Sequence, residues 1–187
     1  NPQTGDVYAM GVYPSFNLND RAGVSIDRFR NPLVESVYEM GSIMKPLTMA
    51  AGIDAGVVSP STRYTDTGCI EKSGKKVCNY DFKARGVVPM QEVLNQSLNT
   101  GVSFVADKMG HGVFVRYMRG YKLGEKTGID VPGEVAGDIS ALDYAADVDV
   151  ASASFGQGVA VSTVEMIRAL SALAGGGKLP STHVVKA

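Results

Sequence analysis

Apolar residues recur at helical spacing in four stretches of the chain. In 43–53, Ile43, Met44, Leu47, Met49, Ala50, Ala51 and Ile53 predict one helix, with Pro46 in its first turn, where backbone N–H groups lack partners anyway. Met90, Val93, Leu94, Leu98, Val102, Phe104, Val105 and Met109 predict two helical pieces that join over 96–101. Gly110-His111-Gly112 ends the second piece, and 113–121 predicts another short helix. Ser162-Thr163-Val164-Glu165 has the spacing of a capping box ahead of a helix over 166–174, which Gly175-Gly176-Gly177 stops.

Strand signals are fewer. Val7-Tyr8-Ala9-Met10-Gly11-Val12 reads as a strand after the turn residues Asn1-Pro2-Gln3-Thr4-Gly5-Asp6. A turn that opens onto a strand joins it to an earlier one, so the chain reads as cut from something longer, and the missing initiator Met agrees. The stretch from Cys69 to Cys78 predicts a hairpin with Ser73-Gly74 at its tip. Its two cysteines can face each other as a disulfide in an exported protein or stay as buried thiols, and both alternatives remain open. Residues 13–32, 56–66 and 124–137 predict loops, and the tail 178–187 starts a strand.

At 187 residues with 44% hydrophobic content the chain is long enough for one domain with a sizeable core. A net charge of −1 without a basic stripe argues against nucleic acid as a partner. No apolar run is long enough to span a membrane. His111 and His183 stand apart, with no Cys/His/Asp cluster beside either, so neither a metal site, a cofactor nor a Ser-His-Asp triad is predicted.

The candidate chemistry lies in Gly41-Ser42-Ile43-Met44-Lys45-Pro46. Residues three apart on a helix share a face, so Lys45 Nζ is within reach of Ser42 Oγ. A serine hydroxyl becomes a nucleophile when a base takes its proton, and a lysine is such a base only if desolvation keeps it neutral. The start of the helix also favours an oxyanion at the Ser42 N–H. A four-residue match is weak by itself; a second one, Ser73-Gly74-Lys75-Lys76, falls on the hairpin tip, where no helix aligns its side chains.

Further matches accumulate in order. They are Asn1-Pro2-Gln3-Thr4-Gly5 with Ala9-Met10, Pro14-Ser15-Phe16, Asn31, Tyr38-Glu39-Met40-Gly41-Ser42 and Lys45-Pro46, then Ser97-Leu98-Asn99, Thr127-Gly128-Ile129-Asp130-Val131-Pro132-Gly133-Glu134 and Ser154-Phe155-Gly156-Gln157-Gly158. Together they resemble the class B penicillin-binding proteins, peptidoglycan D,D-transpeptidases of the serine β-lactam-recognising group, over nearly the whole chain. The resemblance implies Ser42 as the acylated nucleophile, Lys45 as its base, Ser97 as proton relay and Asn99 as the amide that orients the substrate backbone. It places Gly41, Thr100 and Gly101 at the substrate. A rival S-x-N, Ser15-Phe16-Asn17, fits the strand-to-loop segment of the family instead.

Lys126-Thr127-Gly128 spells the third motif of the family, a K-T-G that lines the cleft from a strand. Here Pro132 and Gly133 follow too closely for an internal strand, and the copy precedes Phe155-Gly156-Gln157-Gly158, whereas the family motif follows it. It is therefore expected to be a structural loop, with the third motif beyond Ala187 and the isolated chain weakly active or inactive. Met40 in place of a usual proline, and Ile43-Met44 in place of Thr-Phe, alter the cleft wall rather than its chemistry.

The resemblance implies a mixed α/β transpeptidase fold with a central antiparallel sheet and a helical subdomain. This chain would supply most of the helical part and one or two sheet strands, without the upstream anchor. It implies peptidoglycan stem peptides and β-lactams as ligands, divisome or elongasome membrane proteins as partners, and a place outside the cytoplasmic membrane. Ser154-Phe155-Gly156 leans toward septal members. A serine β-lactamase, or a sensor or division scaffold without catalysis, is the alternative on the same fold.

Overall fold

The computed structural model describes residues 1–185. Asn31 caps the short helix α1 (Pro32–Glu35) by accepting from Leu33 N, and β1 (Val37–Tyr38) follows. A 3-10 turn at Gly41–Met44 runs straight into α2 (Lys45–Asp54). Four short strands come next, β2 (Arg63–Asp66), β3 (Cys69–Lys72), β4 (Lys75–Cys78) and β5 (Gly86–Pro89). They lead into α3 (Met90–Asn95), α4 (Asn99–Met109) and α5 (His111–Gly120). The last elements are α6 (Asp147–Ala153), β6 (Val161–Ser162) and α7 (Thr163–Ala174).

The mixed α/β class expected from the sequence is the one adopted, with seven α-helices among the described residues. The strands form three separate antiparallel pairs, β1 with β6, β2 with β5 and β3 with β4. The first pair sets Tyr38 opposite Val161 and brings the Ser42 turn to the loop before β6. The second pair, across Arg63 to Pro89, was not legible as strands in 56–66, because its partner lies beyond an intervening hairpin.

The core lies where α2 crosses α4. Met44, Leu47 and Ala51 meet Val102, Val105 and Ala106 there, and Phe114 and Met118 of α5 close one side. Gly52 permits the approach, since a Cβ on it would lie 2.3 Å from Val105 Cγ1. Each fully buried Leu, Phe or Met contributes about 1.5–3 kcal/mol. The capping box before α7 forms as predicted: Glu165 N donates to Ser162 Oγ and Ser162 N to Glu165 Oε2.

Two strand expectations are corrected. Residues 7–12 are not a strand; Asp6 alone bridges to His183, and Val7 N donates to His183 O. Alternation of side chains makes a strand only where a neighbour completes the ladder, and no described residue lies beside Tyr8 or Met10 in that way. The tail likewise carries just the His183 bridge, and Lys186 and Ala187 of the expected strand lie outside the described residues.

Candidate active site

Ser42 sits in the 3-10 turn that starts α2, and the loop after α6 clasps this turn. Gly41 N donates to Gly156 O at 3.1 Å, Thr48 Oγ1 to Ser154 O at 2.8 Å, and Gly158 N to Glu39 Oε1 at 2.7 Å. The approach of Gly156 admits no side chain, because a Cβ there would lie 2.4 Å from Gly41 O. Its φ of +80° is also the left-handed region that glycine occupies at no cost.

Lys45 is 2% exposed, and its ammonium meets the other key segment, between α3 and α4. Nζ donates to Ser97 O at 2.6 Å and to Ser97 Oγ at 2.8 Å, while Ser97 Oγ donates to Ser42 Oγ at 3.0 Å. The direct Lys45–Ser42 bond expected from the i, i+3 spacing is thus replaced by a path through Ser97. Ser97 holds φ +54°, which aims both its oxygens at the same ammonium. This conformation costs a non-glycine residue roughly 1–2 kcal/mol. Burial pulls the Lys45 pKa down to about 8, since the low-polarity interior disfavours the charged form.

Asn99 opens α4, and its Nδ2 donates to Cys78 O at 2.8 Å. Cys78 is disulfide-bonded to Cys69 opposite it in the hairpin, so the alternative of two free thiols falls away. Buried Asp66 ties this corner together, accepting from Asn79 Nδ2, Arg85 N, Gly68 N and Thr100 Oγ1. Thr100 is therefore an internal support and not a wall of the cleft. Gly101 is also interior, because it packs against Val93 and Tyr64 with no room for a Cβ. Helix packing turns both positions inward, away from the lining of the Ser42 cleft.

Gly41, Ser42, Lys45, Ser97 and Asn99 do come together, around an open cleft of about 290 Å³. Tyr80, Phe155 and Gln157 line it too, and the sequence reading assigned none of these a site role. Tyr80, two residues past Cys78, had no signal of its own. Lys126-Thr127-Gly128 lies elsewhere, as a loop whose Thr127 and Gly128 N–H groups donate to Glu134. Among the described residues no His/Cys/Asp/Glu group is arranged for a metal ion.

A buried lysine linked through one serine to another, at the floor of an open cleft, is the arrangement of a serine–lysine acyl-transfer site. The chain belongs to the family described as penicillin binding protein transpeptidase domain, which matches residues 1–187. It is 31% identical over 188 residues to stage V sporulation protein D of Bacillus subtilis, across 100% of this chain and 29% of that protein. It is 25% identical over 198 residues to the peptidoglycan D,D-transpeptidase FtsI homolog of Chlorokybus atmophyticus, across 99% of this chain and 29% of that protein. It also superimposes on penicillin binding protein 3 of Mycobacterium tuberculosis, complexed with aztreonam, with TM-score 0.90 and 28% identity, covering 99% of this chain and 42% of that one. The chain thus spans under a third of the length of these curated relatives.

Proposed function

We propose that the protein is a peptidoglycan D,D-transpeptidase working through a Ser42 acyl-enzyme. The observation that carries this is the hydrogen-bonded path from buried Lys45 through Ser97 to Ser42. With Lys45 neutral, the same atoms pass a proton the other way. Ser42 gives its proton to Ser97, Ser97 gives its own to Lys45 Nζ, and Ser42 Oγ attacks the penultimate D-alanyl carbonyl of a stem peptide. The proton returns through Ser97 to the amine of the departing D-alanine. An amine from a neighbouring strand then takes the acyl group and frees Ser42. Asn99, at the mouth of the relay, holds the backbone of the acyl donor.

A downstream strand outside this chain supplies the substrate-carboxylate cation and the second oxyanion donor. Losing one such donor costs about a hundred- to thousandfold in rate, so residues 1–187 alone acylate slowly. No described helix is long and apolar enough to cross a membrane. Anchoring falls to an upstream segment, with the domain on the outer side of the cytoplasmic membrane beside septal membrane proteins. The Cys69–Cys78 disulfide supports that oxidising location.

The test is intact mass over time after addition of penicillin, on this chain and on the full-length protein. A long-lived adduct on Ser42 of the full-length protein is the expected result. A short-lived adduct makes the protein a β-lactamase, and no adduct in either form leaves a scaffold.

A further inference from the structure

Ser97 joins α3 to α4 with φ +54°, a conformation that a residue with a side chain leaves when nothing holds it. Its local bonds tie it back to α3 only: Ser97 N donates to Leu94 O at 3.3 Å and Leu98 N to Val93 O at 2.9 Å. The hold on the far side comes from the segment between β4 and β5. We propose that Arg85, in this segment, is a positioning residue for Ser42 acylation, holding Ser97 through Gln96 against a fixed support at Asn79. The proposal rests on the acyl-transfer reading and adds to it a residue outside the cleft.

On the α3 side the contact is Gln96, the residue before Ser97. Arg85 Nε donates to Gln96 Oε1 at 3.0 Å and Gln96 Nε2 donates to Glu92 Oε2 at 2.8 Å, so both ends of this amide are fixed. The guanidinium is fixed as well. Its Nη1 and Nη2 donate to Asp81 Oδ1 and Oδ2 at 2.7 and 2.9 Å, which leaves the Nε edge for Gln96. The Arg85 side chain is 15% exposed, so water competes little for that bond.

On the α4 side the contact is Thr100. Its N–H is one of those that a helix start leaves without an internal partner, and Leu98 before it has no side chain to cap it. Asn79 Oδ1 accepts that N–H at 3.3 Å from 21 residues upstream, and Cys78 O beside it accepts from Asn99 Nδ2. The two grips are one body, because Asp66 accepts from Asn79 Nδ2 and from Arg85 N at 3.0 Å each. Ser97 is thus gripped on both sides, at 96 and at 100, by the same segment.

The relay needs both Ser97 oxygens on one ammonium, at 2.6 and 2.8 Å from Lys45 Nζ, with Ser97 Oγ 3.0 Å from Ser42 Oγ. Relaxation of φ at Ser97 swings the two oxygens apart, and a misplacement of about 1 Å can cost about a hundredfold in rate. Arg85 does not line the cleft, so it acts on the proton path through Gln96 and Ser97 and not on ligand binding.

The experiment follows acylation of the full-length protein by penicillin, read by intact mass over a range of concentrations that separates the limiting rate from the half-saturating concentration. Arg85→Met and Gln96→Met are each expected to lower the limiting rate about tenfold and to change the half-saturating concentration less than about twofold. The double variant is expected to be no slower than the slower single one, because both remove the same bond. In Ser97→Ala, where no hydroxyl remains to be placed, adding Gln96→Met is expected to change the residual rate less than about twofold, whereas a general loss of packing would slow it further. Gln96→Met leaves the Arg85–Asp81 pair and the Asp66 bonds in place, so it reads the contact in a folded protein. The positioning role is overturned if Gln96→Met acylates within about twofold of wild type, if its loss falls on the half-saturating concentration, or if the loss persists in Ser97→Ala. The acyl-transfer reading stands in each of those cases. If the wild type takes up no penicillin, that reading falls and takes the role of Arg85 with it.

Discussion

Lys45 can serve as a base only while neutral, which makes pH the sharpest probe of the site. With an ordinary value of 10.5, a lysine at pH 7 is neutral in roughly three molecules in ten thousand. Burial lowers Lys45 to about 8, which raises the neutral share at pH 7 to about one in ten, a gain of roughly 300-fold. The acylation rate of the full-length protein with penicillin should therefore climb about tenfold between pH 7 and pH 9 and level off above. Stability should move in the same direction. Between about 8 and 10.5 the unfolded chain holds a proton on Lys45 that the folded chain has lost, so folding is favoured as pH rises through that window. Below about 8 both states hold the proton, and the cost of a buried charge is constant. Lys45→Arg keeps a cation that cannot deprotonate in this range. It should lower acylation by at least about a hundredfold at every pH, removing the rise. The assay is stopped-time intact mass from pH 6.5 to 9.5. A flat profile in the wild type, or a Lys45→Arg rate within tenfold of it, would refute Lys45 as the base.

Five other variants test separate parts of the structure. Ser97→Ala and Ser97→Gly should both slow acylation about a hundredfold or more, yet the glycine variant should melt no lower than wild type because φ +54° no longer strains it; equal rates in the alanine variant and wild type would remove Ser97 from the relay. Gly156→Ala places a methyl 2.4 Å from Gly41 O, so it should cost about 1–3 kcal/mol in denaturant titrations and slow acylation more than tenfold; unchanged acylation would mean that the clasp does not set Ser42. Asp66→Ala leaves Asn79, Arg85 N and Thr100 short of their common acceptor. It should cost about 3 kcal/mol, or roughly 6–12 °C in Tm, and a calorimetric shift under 2 °C would count against the hub. Cys69→Ser/Cys78→Ser opens a loop of sequence separation 9 and should lose about 2.5 kcal/mol by urea titration; an unchanged midpoint would show that hairpin packing alone holds the corner.

What the sequence made legible was local. The helix over 43–53, the break near 96–101 and the capping box at Ser162 follow from spacings of three or four residues, and the hairpin from a Ser-Gly tip. The seven-residue helix α6 escaped, since so short a run carries little period. The site itself depends on longer range. Ser42 and Lys45 are three residues apart, yet Lys45 reaches Ser42 through Ser97, 52 residues on. The Ser42 turn is fixed by Gly156, and Thr48 by Ser154, 106 residues away. Side-chain type announces that a proton path is possible at Ser42. Which atoms complete it depends on where α4 and the loop after α6 fold back, and on a strained φ at Ser97 that spacing does not encode. Thr100 and Gly101 show the same limit from the other side. They adjoin Ser97 in sequence, but one turn of helix is enough to point them at Asp66 and Val93 instead of the cleft. A motif therefore fixes the chemistry of a position, while its reach is set by the nonlocal contacts around it.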